Sequence, residues 1–177
     1  IYGAGKADLD KSYDVIMNKF RWGNFDKEQQ FVDHSYAPSI QAMRMIMMRT
    51  AVSLQEAGDT ARAAKMANKY FEAFPNMNFQ YDVRIMPFIQ VLIEAGDHES
   101  AKRQLRILAT ETVDMLNFYD SLTKEDLEKG FSQDRSLSLS AVREIIDRAK
   151  MLQDDAFIKE METLLNKYNA ANPNAPN

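Results

Sequence analysis

The tetrapeptide Glu-Ala-Gly-Asp stands twice in this chain, at Glu56–Asp59 and at Glu94–Asp97, and Gly58 and Gly96 lie 38 residues apart. Each aspartate is followed four residues later by an alanine, Ala63 and Ala101. Apolar residues at helical spacing flank both copies. A period of this size is the signature of stacked helix–turn–helix pairs, because one pair cannot bury its apolar face alone and neighbours must cover it. Such arrays serve mostly as scaffolds or binding surfaces, which directs the search for function toward interaction rather than catalysis.

The turns punctuate apolar stripes of period 3.6. The first long helix is expected from about Pro38 to Ala57, with proline tolerated in a first turn where its missing N–H has no intrahelical partner. Its buried stripe is Ile40, Met43, Met47, Thr50, Ala51 and Leu54. Gly58 ends the helix in a left-handed conformation and Asp59 caps the next one. That second helix buries Ala63, Ala67, Tyr70, Phe71 and Phe74 and stops at Pro75. The second pair repeats the scheme with Ile85, Phe88, Ile89 and Leu92, then Gly96 and Asp97, then Ala101, Leu105, Leu108, Thr112, Met115 and Tyr119. Pro87 falls inside the first helix of this pair and is expected to bend it unless the helix begins later. Thr123 and Asp126 form a capping-box-like opening of a short helix that ends near Gly130. A third pair follows, with Val142, Ile145, Ile146, Ala149 and Leu152 on one helix and Phe157, Met161, Leu164, Leu165 and Tyr168 on the other. Gln153-Asp154-Asp155 joins them without a glycine, a degenerate turn of the kind terminal repeats carry. Upstream, Asp10–Phe20 reads as a short helix with Tyr13, Ile16, Met17 and Phe20 on one face, and Gly23-Asn24 as a turn.

Composition narrows the function classes. The chain has 177 residues, 45% of them apolar, enough for a substantial core. A net charge of −4 gives no nucleic-acid footprint. The absence of cysteine excludes a disulfide framework, thiolate zinc sites and cysteine nucleophiles. Two histidines, His34 and His98, make a histidine-rich metal site unexpected. No stretch approaches the roughly 20 apolar residues of a membrane span, so direct insertion by this segment is not expected. Neither a cofactor nor a metal is called for.

Read from Arg44 to Met77, the first pair resembles a tetratricopeptide repeat. Gly58, Asp59, Ala63 and Pro75 stand where that family has its turn glycine, following aspartate, packing alanine and terminal proline. The second pair matches at Gly96, Asp97 and Ala101 but lacks the proline, and Met47 and Ile85 replace the family's early aromatic. The resemblance implies a peptide groove lined by the first helices, here Met45, Met48, Val52 and Gln55, then Val83, Met86, Gln90 and Ile93. The Lys and Asn that clamp a C-terminal carboxylate in some arrays are missing, so that mode is rejected. A methionine-rich groove is an adaptable peptide surface; the competing and commoner reading of such a stripe is core. Arg49 and Arg84 would contact acidic or phosphate groups, against a default of solvated helix face.

A second resemblance lies in Asp10–Asn24, with its Lys19-Phe20-Arg21-Trp22-Gly23-Asn24 stretch. It looks like a segment in the C-terminal extramembrane region of large bacterial multipass proteins, a family long labelled as of unknown function. Its membrane part is similar to protein O-mannosyltransferases, and its Lys-Phe-x-Trp-Gly-Asn stretch precedes a tetratricopeptide-like tail. The resemblance implies a non-catalytic accessory domain at the periplasmic face of a membrane, with the membrane part of its own chain and a protein or peptide as partners. The family's presumed catalytic acids belong to the membrane part, and no position here corresponds to them.

The remaining candidates are weighed against structural roles. Phe20, Trp22 and Phe25 could stack on sugar or anchor a partner; stapling of the N-terminal segment onto the helices is the preferred reading. Asp154-Asp155 and Glu125-Asp126 are read as helix N-terminal charge rather than acid/base dyads. Ser132, Ser136, Ser138 and Ser140 form a serine-rich connector without a nucleophile elbow. The sequence thus predicts an all-α, tetratricopeptide-like array of about three antiparallel pairs: an appendage at 1–36, a repeat domain at 37–168 and a disordered tail at 169–177. The interaction candidates are Phe20, Trp22, Phe25, Met48, Arg49, Val52, Arg84, Met86 and Gln90. A free-standing peptide-binding adaptor is the alternative, and an all-α carboxylate enzyme is disfavoured.

Overall fold

Asp8 opens the first helix by accepting the Lys11 N–H at 3.0 Å, and α1 spans Leu9–Asp14. The computed structural model describes residues 8–170, so the first seven residues of the expected appendage and most of the expected tail lie outside the described residues. A π-helical turn, Val15–Lys19, continues α1 and buries Ile16. A 3-10 turn at His34–Tyr36 then leads into α2, Ala37–Glu56, with Pro38 in its first turn. α3 is Thr60–Ala73. A second 3-10 turn, Val83–Ile85, precedes α4, Met86–Glu94. Because α4 begins at Met86, Pro87 falls in a first turn, where it removes no intrahelical bond, and the expected bend has no cause. α5 is His98–Ser121.

The stretch between α5 and the third pair is mostly helix. Thr123 Oγ1 accepts the Asp126 N–H at 3.2 Å and opens α6, Lys124–Asp126. A π-helical turn, Leu127–Phe131, carries the chain without a break into α7, Ser132–Met151. Gly130 therefore ends nothing and stays out of the left-handed region. The serine-rich segment lies within α7. Ser136, Ser138 and Ser140 donate to the carbonyls of Ser132, Asp134 and Ser136 at 2.9, 3.0 and 3.1 Å, so their hydroxyls are satisfied locally. α8, Asp155–Ala170, completes the third pair. No strand occurs among the described residues, and the fold is all-α.

One turn geometry joins all three pairs. Gly58 and Gly96 sit at φ +81° and +80°. The Gly58 N–H donates to Gln55 O and the Asp59 N–H to Leu54 O, both at 2.9 Å. Gly96 and Asp97 repeat this against Ile93 and Leu92 at 3.0 and 2.9 Å. These bonds satisfy carbonyls that a helix end otherwise leaves orphaned. Gln153 and Asp154 do the same against Lys150 and Ala149 at 3.1 and 3.2 Å, with Gln153 at φ +53°. The third turn thus keeps the geometry without the glycine. Each aspartate then caps the following helix through Oδ1: Asp59 accepts the Arg62 N–H at 3.1 Å, Asp97 the Ser100 N–H at 3.2 Å, and Asp154 the Phe157 N–H at 3.3 Å.

The second carboxylate oxygen reaches back along the chain. Asp97 Oδ2 accepts Asn68 Nδ2 at 2.8 Å, and Asp154 Oδ2 accepts Arg106 Nη2 at 2.9 Å. Asn68 and Arg106 each stand nine residues after the capping aspartate of the preceding turn. Asp59 is preceded by α1 instead of a pair. It receives Arg62 Nε at 2.6 Å, and Arg62 also bonds Asp10 of α1. Eight residues after each capping aspartate come buried Ala67, buried Leu105 and exposed Glu162.

The chain forms two compact units, Ile1–Gln80 with Arg84–Ala101, and Tyr81–Val83 with Lys102–Asn177. In the first unit α1 packs on α2, and α4 packs on both α2 and α3. Met47, Leu54, Met66, Tyr70, Ile85, Phe88, Ile89 and Leu92 are fully buried, and the Tyr70 and Phe88 rings stack at 4.1 Å. In the second unit α7 packs on α8, and Leu105, Leu108, Val142, Ile145, Ala149 and Tyr168 are buried. Arg135, only 4% exposed, donates from Nε to Asp120 Oδ1 at 3.0 Å and from Nη2 to the Tyr168 carbonyl at 3.1 Å. The Tyr168 hydroxyl donates to Asn117 Oδ1 at 2.8 Å. A buried guanidinium is tolerated because its donors are matched.

Candidate functional site

α2 has an inner and an outer character. Met47, Thr50, Ala51 and Leu54 are buried, while Ile40 and Met43 are half-buried. On the outside, Met45 is 53% and Ile46 47% exposed, Arg49 is exposed, and Met48 and Val52 are half-buried. No acidic residue occurs between His34 and Gln55, so α2 carries only basic charge along this apolar stretch until Glu56 at its end, on a chain whose net charge is −4. Arg49 forms no hydrogen bond or ion pair among the described residues.

The second half of the expected groove is closed. Met86 and Ile93 are 3% and 7% exposed, so both are core residues in this structure. The reason is compositional. Phe88, Ile89, Val91, Leu92 and Ile93 make α4 apolar on all but its Gln90–Glu94 edge, and a helix of that kind goes largely to the interior. Arg84 is exposed in the 3-10 turn before α4. Gln90 is half-buried and donates to Glu94 Oε1 at 2.6 Å, while its own Oε1 and that of Gln55 are buried without a partner. Of the groove residues named from sequence, those on α2 remain accessible and the apolar ones on α4 do not.

The aromatic candidates form a strap against the first unit. Residues 20–33 contain no helix or strand, and Gly23 and Asn24 turn the chain at φ +71° and +59°. The Trp22 ring meets Phe20 at 5.5 Å and Phe74 at 5.6 Å, both edge-on, and Phe25 meets Phe79 at 4.9 Å. Phe74 in turn contacts Tyr70 and Phe79, so the strap joins the aromatic core through edge-to-face pairs. This is stapling geometry, with Phe20, Trp22 and Phe25 half-buried. Trp22 Nε1 is buried without an acceptor.

Asn78 holds the strap's backbone, and the sequence reading did not single it out. Its Nδ2 donates to the carbonyls of Phe25 at 2.7 Å and Glu28 at 2.9 Å, and its Oδ1 accepts the Gln30 N–H at 2.6 Å. The Pro75-Asn76-Met77-Asn78 run signals a turn, but nothing local to it reveals a partner some 50 residues away.

Three of the four carboxylates weighed as dyads have structural partners. Asp154 is a cap and Asp126 bonds Thr123, while Glu125 pairs with Lys129. Asp59 is held below the usual carboxylate range, first by the Arg62 side-chain bond and then by the Arg62 N–H. For Asp154, burial pushes its pKa upward, but the bonds from Arg106 and the Phe157 N–H outweigh it and leave the value lowered. His98 is exposed in the first turn of α5. Among the described residues no group of three or more His, Cys, Asp or Glu could hold a metal, and no helix is long and apolar enough to cross a membrane. No protein-family model, curated protein or solved structure matches the chain.

Proposed function

We propose that this chain is a non-catalytic helical-repeat module that holds a protein or peptide partner on the outer face of α2. The observation that carries this reading is the acid-free surface of Met45, Ile46, Met48, Arg49 and Val52, left accessible on a helix whose inner stripe is fully packed. Flexible thioether side chains beside a cation suit a partner that presents apolar residues with some negative charge. The tetratricopeptide-like spacing supports the same reading, as does the turn geometry shared by all three pairs.

The resemblance of Asp10–Asn24 to the extramembrane tail of mannosyltransferase-like proteins extends the proposal. The module then serves the periplasmic side of a membrane glycosyltransferase-like protein, with the chemistry residing outside this chain. The reading frame upstream of Ile1 tests the extension. Several apolar spans of about 20 residues are expected; a nearby start codon or cleavable signal would leave a free-standing adaptor. The α2 surface is tested by site-specific photo-crosslinking from position 49 in cells. A discrete adduct that disappears with Met45→Glu/Ile46→Glu is expected. Crosslinks equal in yield to those from an exposed α8 position would overturn the assignment.

A further inference from the structure

We propose that Phe74, Asn78 and Phe79 form a peptide-binding site that residues 20–30 occupy as an internal ligand. A segment of another chain that folds into the same turn and carries two aromatic side chains three residues apart displaces them. The argument starts from what Asn78 touches. Its three bonds to the strap all go to main-chain atoms, two carbonyls and one N–H. Such contacts fall on the main chain of a turned segment, so any chain folded into the same turn offers the same groups whatever its side chains. Selectivity rests on two rings, Trp22 edge-on to Phe74 at 75° and Phe25 edge-on to Phe79 at 84°. Backbone capture combined with pockets for spaced side chains is a general mode of peptide recognition.

Two further observations mark the strap as replaceable. Trp22 Nε1 is buried without an acceptor, so the resident segment fits imperfectly at one atom, and a ligand with phenylalanine there leaves no orphan donor. The strap also ends at Phe31, 91% exposed on a stretch with neither helix nor strand, so exchange requires no helix to unfold. The tether gives the resident segment an effective concentration of about millimolar, which a free peptide must match. This site lies outside the α2 face, and the proposal does not rest on that reading.

Trp22 is the only tryptophan and reports directly on the strap. The full chain is titrated with a synthetic peptide of residues 18–30 bearing Trp22→Phe, so all tryptophan signal comes from the protein. We expect a saturable red shift of emission and a rise in acrylamide quenching, with helical circular dichroism unchanged. A peptide with alanine at both aromatic positions should have no effect. Met45→Glu/Ile46→Glu should respond as wild type, which separates this site from the α2 face. Asn78→Ala should show the red-shifted emission without peptide. No response at millimolar peptide would overturn the proposal, as would equal action of the alanine peptide.

Discussion

Gln153→Gly should stabilise this protein. Gln153 holds φ +53° at a position where the two equivalent turns place glycine at +81° and +80°. A residue with a Cβ in that region carries about 1–2 kcal/mol of conformational cost that glycine does not. Glycine's greater freedom in the unfolded chain offsets about 0.5–1 kcal/mol of the gain. Gln153 is exposed, so no packing is lost. The net expectation is a gain of about 0.5–1 kcal/mol. The reciprocal changes, Gly58→Ala and Gly96→Ala, isolate the same quantity, because a Cβ at either position meets nothing within 4 Å. Each should lose about 0.5–1 kcal/mol through backbone strain alone. Urea titrations followed at 222 nm measure all three, with an unchanged m-value showing that the unfolded reference has not moved. If Gln153→Gly destabilises while the alanine variants are neutral, the left-handed residue is not what shapes these turns, and the equivalence of the three pairs loses its energetic basis.

Four other outcomes are expected. Trp22→Ala should cost about 2–3 kcal/mol in urea melts, below the usual range for a fully buried aromatic because the ring is half-buried. Arg135→Met should cost about 2–3 kcal/mol by leaving Asp120 and the Tyr168 carbonyl unmatched; Asp120→Asn in the same background should recover part of it if the residual charge is the cause. Asp59 has a folded pKa depressed by Arg62, so its stabilisation is complete above about pH 4 and is lost as pH falls through the lower folded value. Melts from about pH 5 to about pH 2 should therefore show a shallower acid decline in Asp59→Asn than in wild type. Met45→Glu/Ile46→Glu should change stability by less than about 0.5 kcal/mol while abolishing the photo-crosslink, whereas Met47→Ala at the buried stripe should cost about 2–5 kcal/mol.

The helix pairs were legible because period and punctuation agreed. Met47, Ala51 and Leu54, and likewise Val142, Ile145 and Ala149, lie buried where their spacing placed them. Gly58 and Gly96 announced their turns because glycine is the cheapest left-handed residue. Gln153 did not, because its conformation is imposed by the bonds of Gln153 and Asp154 to α7 rather than by its own preference. The run from Lys124 to Met151 was broken too early, since a π-helical turn leaves no compositional mark beyond a glycine that reads as a stop. Met86 is placed on a groove by analogy with a tetratricopeptide repeat, but the apolar character of α4 on all but its Gln90–Glu94 edge is the stronger signal. Asn78 and the back-reaching donors Asn68 and Arg106 were hidden for a different reason. Their partners lie far along the chain, and no local pattern encodes them.

Those donors have a consequence for the order of assembly. The Gly96 turn is completed by Asn68, and the Gln153 turn by Arg106; each donor sits on the helix that follows the preceding turn. A later turn therefore closes fully only once an earlier helix is in place, whereas the first closes with Arg62 from within its own helix. The polarity runs one way, from amino to carboxyl end. A chain emerging from the ribosome meets its requirements in the sequence in which they are supplied, so vectorial synthesis and the clasp pattern favour the same folding route.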